Sequence, residues 1–183
     1  MDNGASSYRR FLDGDETGLV EIIRDYKDGL IFYLNSFTNN LTAAEELAED
    51  VFVRLGTKKP KDKGTSSFKT WLYTIGRHIA IDKMRKKSLD FIPYEELGGV
   101  EADDDVERAY LREEQKVTVH RAMKRLKSEY RQVLWLVYFE GFSLKDTAAV
   151  MKKNTHAAET LVYRARNALK TELSKEGFFY EEL

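Results

Sequence analysis

Apolar residues recur at three- and four-residue spacing along most of the chain, and the pattern breaks once. Leu19, Ile22, Ile23, Tyr26, Leu30, Tyr33, Leu34 and Phe37 form a first stripe. Ala44, Leu47, Ala48, Val51, Phe52 and Leu55 form a second, and Phe68, Leu72, Ile75 and Ile79 a third. Such spacing puts the apolar side chains on one face of an α-helix. From Asp90 to Asp105, Pro93, Gly98, Gly99 and the run Asp103-Asp104-Asp105 interrupt every helical period. The stripes then resume. The spacing predicts an all-α chain of two small helical domains, 1–90 and 113–183, joined by an acidic flexible linker over 91–112. Two prolines and 11 glycines in 183 residues are too few for a turn-dense β-fold or a disordered chain.

Net charge is −1 and names no partner. Its distribution says more. Residues 58–87 hold ten basic and two acidic side chains, residues 95–114 nine acidic and two basic, and residues 116–175 thirteen basic and five acidic. Two basic blocks flanking an acidic bridge fit a polyanion binder, or equally two solvated helical surfaces with a polar linker. No cysteine occurs, so disulfides, thiolate metal sites and cysteine nucleophiles are excluded, and a reducing, cytoplasmic interior is the natural compartment. No apolar run approaches the roughly 20 residues that cross a bilayer, so no direct membrane insertion is expected. The first residues, MDNGASSYRRFLDGDE, carry no apolar h-region and do not read as a secretory signal.

Local signals set the helix boundaries. Thr42-Ala-Ala-Glu45 reads as a capping box opening the second helix, with Gly56 closing it. Lys58–Ser67 reads as a basic loop, and a third helix is expected to start near Ser66 or Ser67. Trp71 falls at the edge of its apolar face and Asp82 on that face, where it needs a basic partner. Thr70, Tyr73, Thr74, Arg77, Ile81 and Arg85 fall on the opposite, solvent face. In the second unit a helix is expected around Glu113–Leu126, and a shorter one follows Ser128 and ends before Gly141. Ser143-Leu-Lys-Asp146 is a second capping box, opening a helix through Met151. Lys152-Lys153-Asn154 is the turn. In the last helix Ala158, Leu161, Val162, Ala165 and Leu169 face inward, while His156, Glu159, Thr160, Tyr163, Arg164 and Asn167 face outward. Two short helices joined by a tight turn, the second with a polar and basic face, form a helix-turn-helix pattern sized for a major groove. Many helical bundles share that spacing.

The stretches Thr42–Leu55 (TAAEELAEDVFVRL), Ser67–Lys87 (SFKTWLYTIGRHIAIDKMRKK) and Leu126–Lys170, including EYRQVLWLVYFEGFSLKDTAAVMKK and LVYRARNALK, together resemble bacterial sigma factors of the extracytoplasmic-function group. These are sigma-70-type proteins with regions 2 and 4. The resemblance implies a protein that binds core RNA polymerase and directs promoter-specific, DNA-dependent transcription initiation, with no catalytic residues, cofactor or metal. It implies that residues 44–55 dock on the β′ clamp helices through Glu46, Glu49, Asp50 and Arg54. It implies that the third helix and its loop open the minus-10 element. Lys61, Lys63, Ser66 and Ser67 would build a base pocket there, and Tyr73, Arg77, His78, Lys83 and Arg85 would track the strand. Region 4 would hold the β flap through its earlier helices and read the minus-35 element through Thr155, His156, Glu159, Thr160 and Tyr163. Arg164, Arg166 and Lys170 would neutralise phosphates nearby. An anti-sigma factor is an implied partner.

The chain departs from the family pattern at Lys152 and Lys153, where glycine and an apolar residue are usual, and at Glu159 and Leu161, where Lys and Arg are frequent. Glu159 repels phosphate but can accept from a cytosine amino group. A stand-alone helix-turn-helix regulator is the alternative reading. Against an enzyme, His78, His120 and His156 are dispersed without metal-ligand spacing, and no Gly-rich phosphate loop occurs. The tail, Glu176-Gly-Phe-Phe-Tyr-Glu-Glu-Leu183, is acidic and aromatic and is read as a frayed end or a segment that packs on region 4 or a partner.

Overall fold

The computed structural model describes residues 3–89 and 114–177. The linker 91–112 and the tail past Gly177 lie outside the described residues. Those described are helical, with no strand among them.

The first unit holds α1 (Asn3–Leu12), α2 (Thr17–Thr38), α3 (Leu41–Lys58) and α4 (Phe68–Leu89). α2 lies along α3 and under α1. Gly18 permits the α1 crossing, because a Cβ there would stand 2.2 Å from the Ser7 carbonyl oxygen. The expected stripes of α2 and α3 are the core: Ile22, Leu30, Leu34, Leu47, Val51 and Leu55 are buried. α3 starts two residues earlier than the Thr42 signal requires. The cap is Asn40, whose side chain accepts from the Ala43 amide, and Thr42 is exposed inside the helix. Asn40 wins because its short carboxamide is a strong N-cap and leaves two more residues helical. Gly56 does not end α3, which continues to Lys58 and closes on Lys59 at φ 42°. α4 begins as expected, with the Ser67 hydroxyl accepting from the Thr70 amide at 3.1 Å.

The second unit holds α5 (Glu114–Lys124), α6 (Ser128–Leu134), α7 (Leu144–Met151) and α8 (Thr155–Lys175). α6 runs into a π-helical turn, Trp135–Phe139, where the Glu140 amide donates to the Trp135 carbonyl at 3.0 Å. Such turns add one residue and rotate everything beyond them. Here Leu136 is buried, whereas Val137 is half-buried. Gly141 ends the turn at φ 68°. Ser143 caps α7 by accepting from Asp146, and Asn154 caps α8 by accepting from Ala157. Between them Lys152 sits at φ 53°, a left-handed position that favours glycine.

The two units are packed on each other: α2 contacts α6 and the π turn, and α4 contacts α7. Their buried side chains form one continuous cluster.

Candidate nucleic-acid interface

In the first unit, the loop after α3 presents Lys61 and Lys63 to solvent, around a turn in which Asp62 accepts from the Gly64 amide at 2.9 Å. Ser66 is half-buried. Ser67 is exposed, but its hydroxyl is spent on the α4 cap and on Thr70, 2.9 Å away. Lys83 and Arg85 are exposed. Lys83 reaches Glu46 at 3.2 Å and Asp50 at 3.6 Å, and Arg85 pairs with Asp82 at 3.4 Å. Asp82 is therefore a solvated residue of the rim and not part of the apolar face. Arg77 and His78 are half-buried, each with one buried ring or guanidinium nitrogen that has no hydrogen-bond partner, Nε and Nε2 respectively.

The expectation that Thr70 and Tyr73 face solvent is corrected. Both are 1% exposed. The Tyr73 hydroxyl donates to Glu140 at 2.7 Å, its ring stands 5.1 Å from that of Phe142, and Thr70 reaches Asp146 at 3.2 Å. Lys69 completes the junction: its ammonium meets Glu140 at 2.9 Å and lies over the Phe142 ring. Burial and the Glu140 carboxylate both push the Tyr73 hydroxyl above its ordinary pKa, so it stays a donor. α4 is apolar or committed on both faces because the second unit covers the side opposite its own core.

A second strut ties α6 to the end of α2. Arg131 is buried and donates through Nε to the Ser36 carbonyl at 2.9 Å and through Nη1 to Leu126, while Ser128 reaches the same Ser36 carbonyl at 3.0 Å. A cation at the carbonyl end of a helix meets its negative dipole pole. Burial lowers the Arg131 pKa from its ordinary value.

On α3, Glu46, Glu49, Asp50 and Arg54 are exposed as expected. Glu46 and Asp50 are held by Lys83, whereas Glu49 and Arg54 make no ion pair among the described residues. Sequence reasoning missed Val53, which is 60% exposed on that same face. Its place one turn beyond Glu49 and outside the apolar stripe was the available signal.

The residues expected to read bases in the second unit lie on α8. Thr155, His156, Glu159, Tyr163, Arg164, Arg166 and Lys170 are exposed, and Thr160 is half-buried with its hydroxyl on the His156 carbonyl at 3.0 Å. Tyr163 is 67% exposed. No acidic residue stands in the first turn of α8, so its positive dipole end is open to an anion. Arg166 and Lys170 lie farther along and also rim an apolar hollow of the second unit. Among the described residues no group of three His, Asp or Glu side chains is placed to hold a metal, and no helix is long and apolar enough to cross a membrane.

The sequence model "Sigma-70 region 2" matches residues 22–89 and "Sigma-70, region 4" matches residues 116–169, together more than half of the chain. The ECF RNA polymerase sigma factor SigW of Bacillus subtilis (strain 168) is 28% identical over 170 residues, covering 87% of this chain and 91% of SigW. The RNA polymerase sigma-H factor of Pseudomonas aeruginosa is 27% identical over 166 residues, covering 85% and 86%. The fold is similar to that of CnrH in its complex with the cytosolic domain of CnrY, with 20% identity, a TM-score of 0.65, and coverage of 94% and 96%. It is also similar to the sigma factor RpoE bound to the anti-sigma factor NepR from Bartonella quintana, with 22% identity, a TM-score of 0.62, and coverage of 84% and 95%. The chain belongs to the sigma-70 family, in its extracytoplasmic-function group with regions 2 and 4.

Proposed function

We propose that this protein binds core RNA polymerase in the cytoplasm and directs promoter-specific initiation, with no catalytic activity of its own. Residues 1–90 act on the minus-10 element and residues 113–183 on the minus-35 element, with 91–112 as the connection. One observation carries the reading: a capped helix with a basic loop in front of it and a tight-turn helix pair with an exposed reading face follow each other in one chain, in the order of regions 2 and 4. The α3 face of Glu46, Glu49, Asp50, Val53 and Arg54 contacts the polymerase clamp. Lys61, Lys63, Lys83 and Arg85 supply the cations of the minus-10 site, and α8 enters the major groove. An anti-sigma factor is the natural antagonist, since the similar RpoE is bound to the anti-sigma factor NepR and CnrH to the cytosolic domain of CnrY.

The packed arrangement fits the free protein. The minus-10 and minus-35 elements are about 25 base pairs apart by their names, or about 85 Å at 3.4 Å per base pair. The longest helices here have 22 residues, about 33 Å at 1.5 Å per residue. Units stacked face to face cannot span both elements, so promoter reading requires the α4–α7 junction to open. Opening also uncovers Lys69, Thr70 and Tyr73 beside the minus-10 site.

The test is run-off transcription with purified core polymerase on genomic promoter fragments. Specific transcripts that depend on this protein support the reading. A protein that shifts promoter DNA by itself and adds nothing to core polymerase supports the stand-alone regulator instead.

A further inference from the structure

The second unit carries an apolar groove of about 310 Å³ between α5, the π turn and α8. That lies at the lower end of the range, roughly 300–1,000 Å³, of sites that bury a guest. Met123 and Leu173 floor it, and Tyr138 and Phe139, 55% and 46% exposed, wall it. Arg166 and Lys170 rim it, both exposed and neither with a carboxylate partner among the described residues. Nearby cations are already matched: Arg121 and Arg125 are held by Glu176, and Arg125 also by Glu172.

We infer that the groove is filled by the chain's own C-terminal segment, Phe178-Phe179-Tyr180-Glu181-Glu182-Leu183. Three observations converge on this occupant. First, the end of α8 aims the chain there. Gly177 takes φ 76°, and its amide donates to the Ser174 carbonyl at 3.2 Å, three residues back across the Glu176 cap. That is the inner bond of a Schellman ending, in which the next residue, here Phe178, packs on the residue five positions earlier. The residue five positions earlier is Leu173, the groove floor. Second, the length fits. Leu173 to Arg166 spans about 10 Å of helix, and six extended residues reach about 20 Å. Third, the chemistry is complementary. Aromatic rings match the apolar floor, and the carboxylates of Glu181 and Glu182 match the two unpaired cations on the rim. The inference stands on the groove and the helix ending and is independent of the promoter-reading assignment.

The experiment compares the full chain with one that stops after Gly177, by hydroxyl-radical footprinting of Met123, Tyr138 and Phe139 and by fluorescence of an apolar dye. A several-fold rise in labelling and dye binding on truncation is expected, reversed by adding a synthetic peptide of residues 178–183. The double variant Arg166→Glu, Lys170→Glu should weaken that peptide's binding. Circular dichroism checks that the shortened chain keeps its helices. Should it unfold, Phe178→Ser with Phe179→Ser in the full chain takes its place with the same readings. Equal labelling of both chains means the groove is open for another protein and overturns the inference. Protection that grows with the concentration of the full chain means a second copy fills it and overturns the inference as well.

Discussion

Tyr73 on α4 donates a 2.7 Å hydrogen bond to Glu140 at the end of the π turn, joining two units across 67 residues of sequence. Gly29 on α2 makes room for the pair: a Cβ there would lie 2.6 Å from the Tyr73 hydroxyl and 2.7 Å from the Glu140 carboxylate. Lys69 meets the same carboxylate from α4. With Thr70–Asp146 and Arg131–Ser36 it is one of several directional polar contacts set among the buried apolar side chains of the junction, and together they specify one packing of the units over others.

Removing the two ends of that bond separates junction from promoter contact. Glu140→Ala leaves the buried Tyr73 hydroxyl unpaired and the Lys69 ammonium without its carboxylate, and should cost about 2–3 kcal/mol, whereas Tyr73→Phe removes one hydrogen bond to a carboxylate that Lys69 still holds and should cost less, about 1.5 kcal/mol. Denaturant unfolding gives both values. In transcription with core polymerase, Glu140→Ala should be at least as active as the parent, because it weakens the closed form. If Tyr73→Phe is likewise as active, the hydroxyl serves the junction alone. A selective loss there assigns it to promoter melting as well.

Acid should loosen the folded protein through His78. Burial holds its imidazole below the ordinary pKa, and the charges of Lys152, Arg77 and Arg54 push the same way, with Asp82 opposing. The folded state thus resists a proton that the unfolded chain accepts near pH 6.5. The His78 contribution to stability is complete above that pH. It falls as pH drops below about 6.5 and stops falling once the folded imidazole is itself protonated. Thermal melting of the parent and of His78→Asn between pH 5 and 7.5 isolates the effect. The parent should lose more stability on acidification than the variant.

Lys152 holds a left-handed conformation that costs an L-residue roughly 1 kcal/mol. Lys152→Gly should therefore stabilise the second unit by about 0.5–1 kcal/mol, seen as a raised melting temperature, with the minus-35 preference unchanged. It also removes a positive charge beside His78, so the acid sensitivity of this variant should be smaller.

Glu159 is exposed on the outer face of α8, among residues that would meet base edges. A carboxylate repels phosphate and helps only by accepting from a base donor. Glu159→Lys should change the preferred minus-35 sequence, by about 1–3 kcal/mol at one position. Selection from a randomised minus-35 library reads this directly. A uniform gain on every sequence would reduce Glu159 to a charge near the backbone.

The elements and most of the core were legible because each stripe follows one period and the helix starts at Ser67 and Ser143 carry the usual acceptor side chains of N-caps. The α8 face was legible for the same reason: its inward residues Ala158, Leu161 and Ala165 are small or apolar and its outward ones polar. What was hidden came from contacts between units. Thr70 and Tyr73 lie off the apolar stripe of α4, and only the arrival of α7 and Glu140 buries them. The π turn was hidden too, because an extra residue within a helix leaves no local mark in WLVYF. Thr42 misled because its capping box competes with a cap two residues earlier, at Asn40.

The most direct test uses the absence of native cysteine. Asn39 at the end of α2 donates to the Lys124 carbonyl across the junction at 2.9 Å, and neither residue belongs to the proposed promoter or polymerase faces. Asn39→Cys with Lys124→Cys, joined by a short reducible bridge, locks the units together. Run-off transcription with core polymerase is then measured before and after reduction. The expected result is promoter-specific transcripts from the reduced protein and almost none from the bridged one. Equal transcription from both would contradict the claim that promoter reading requires the units to part.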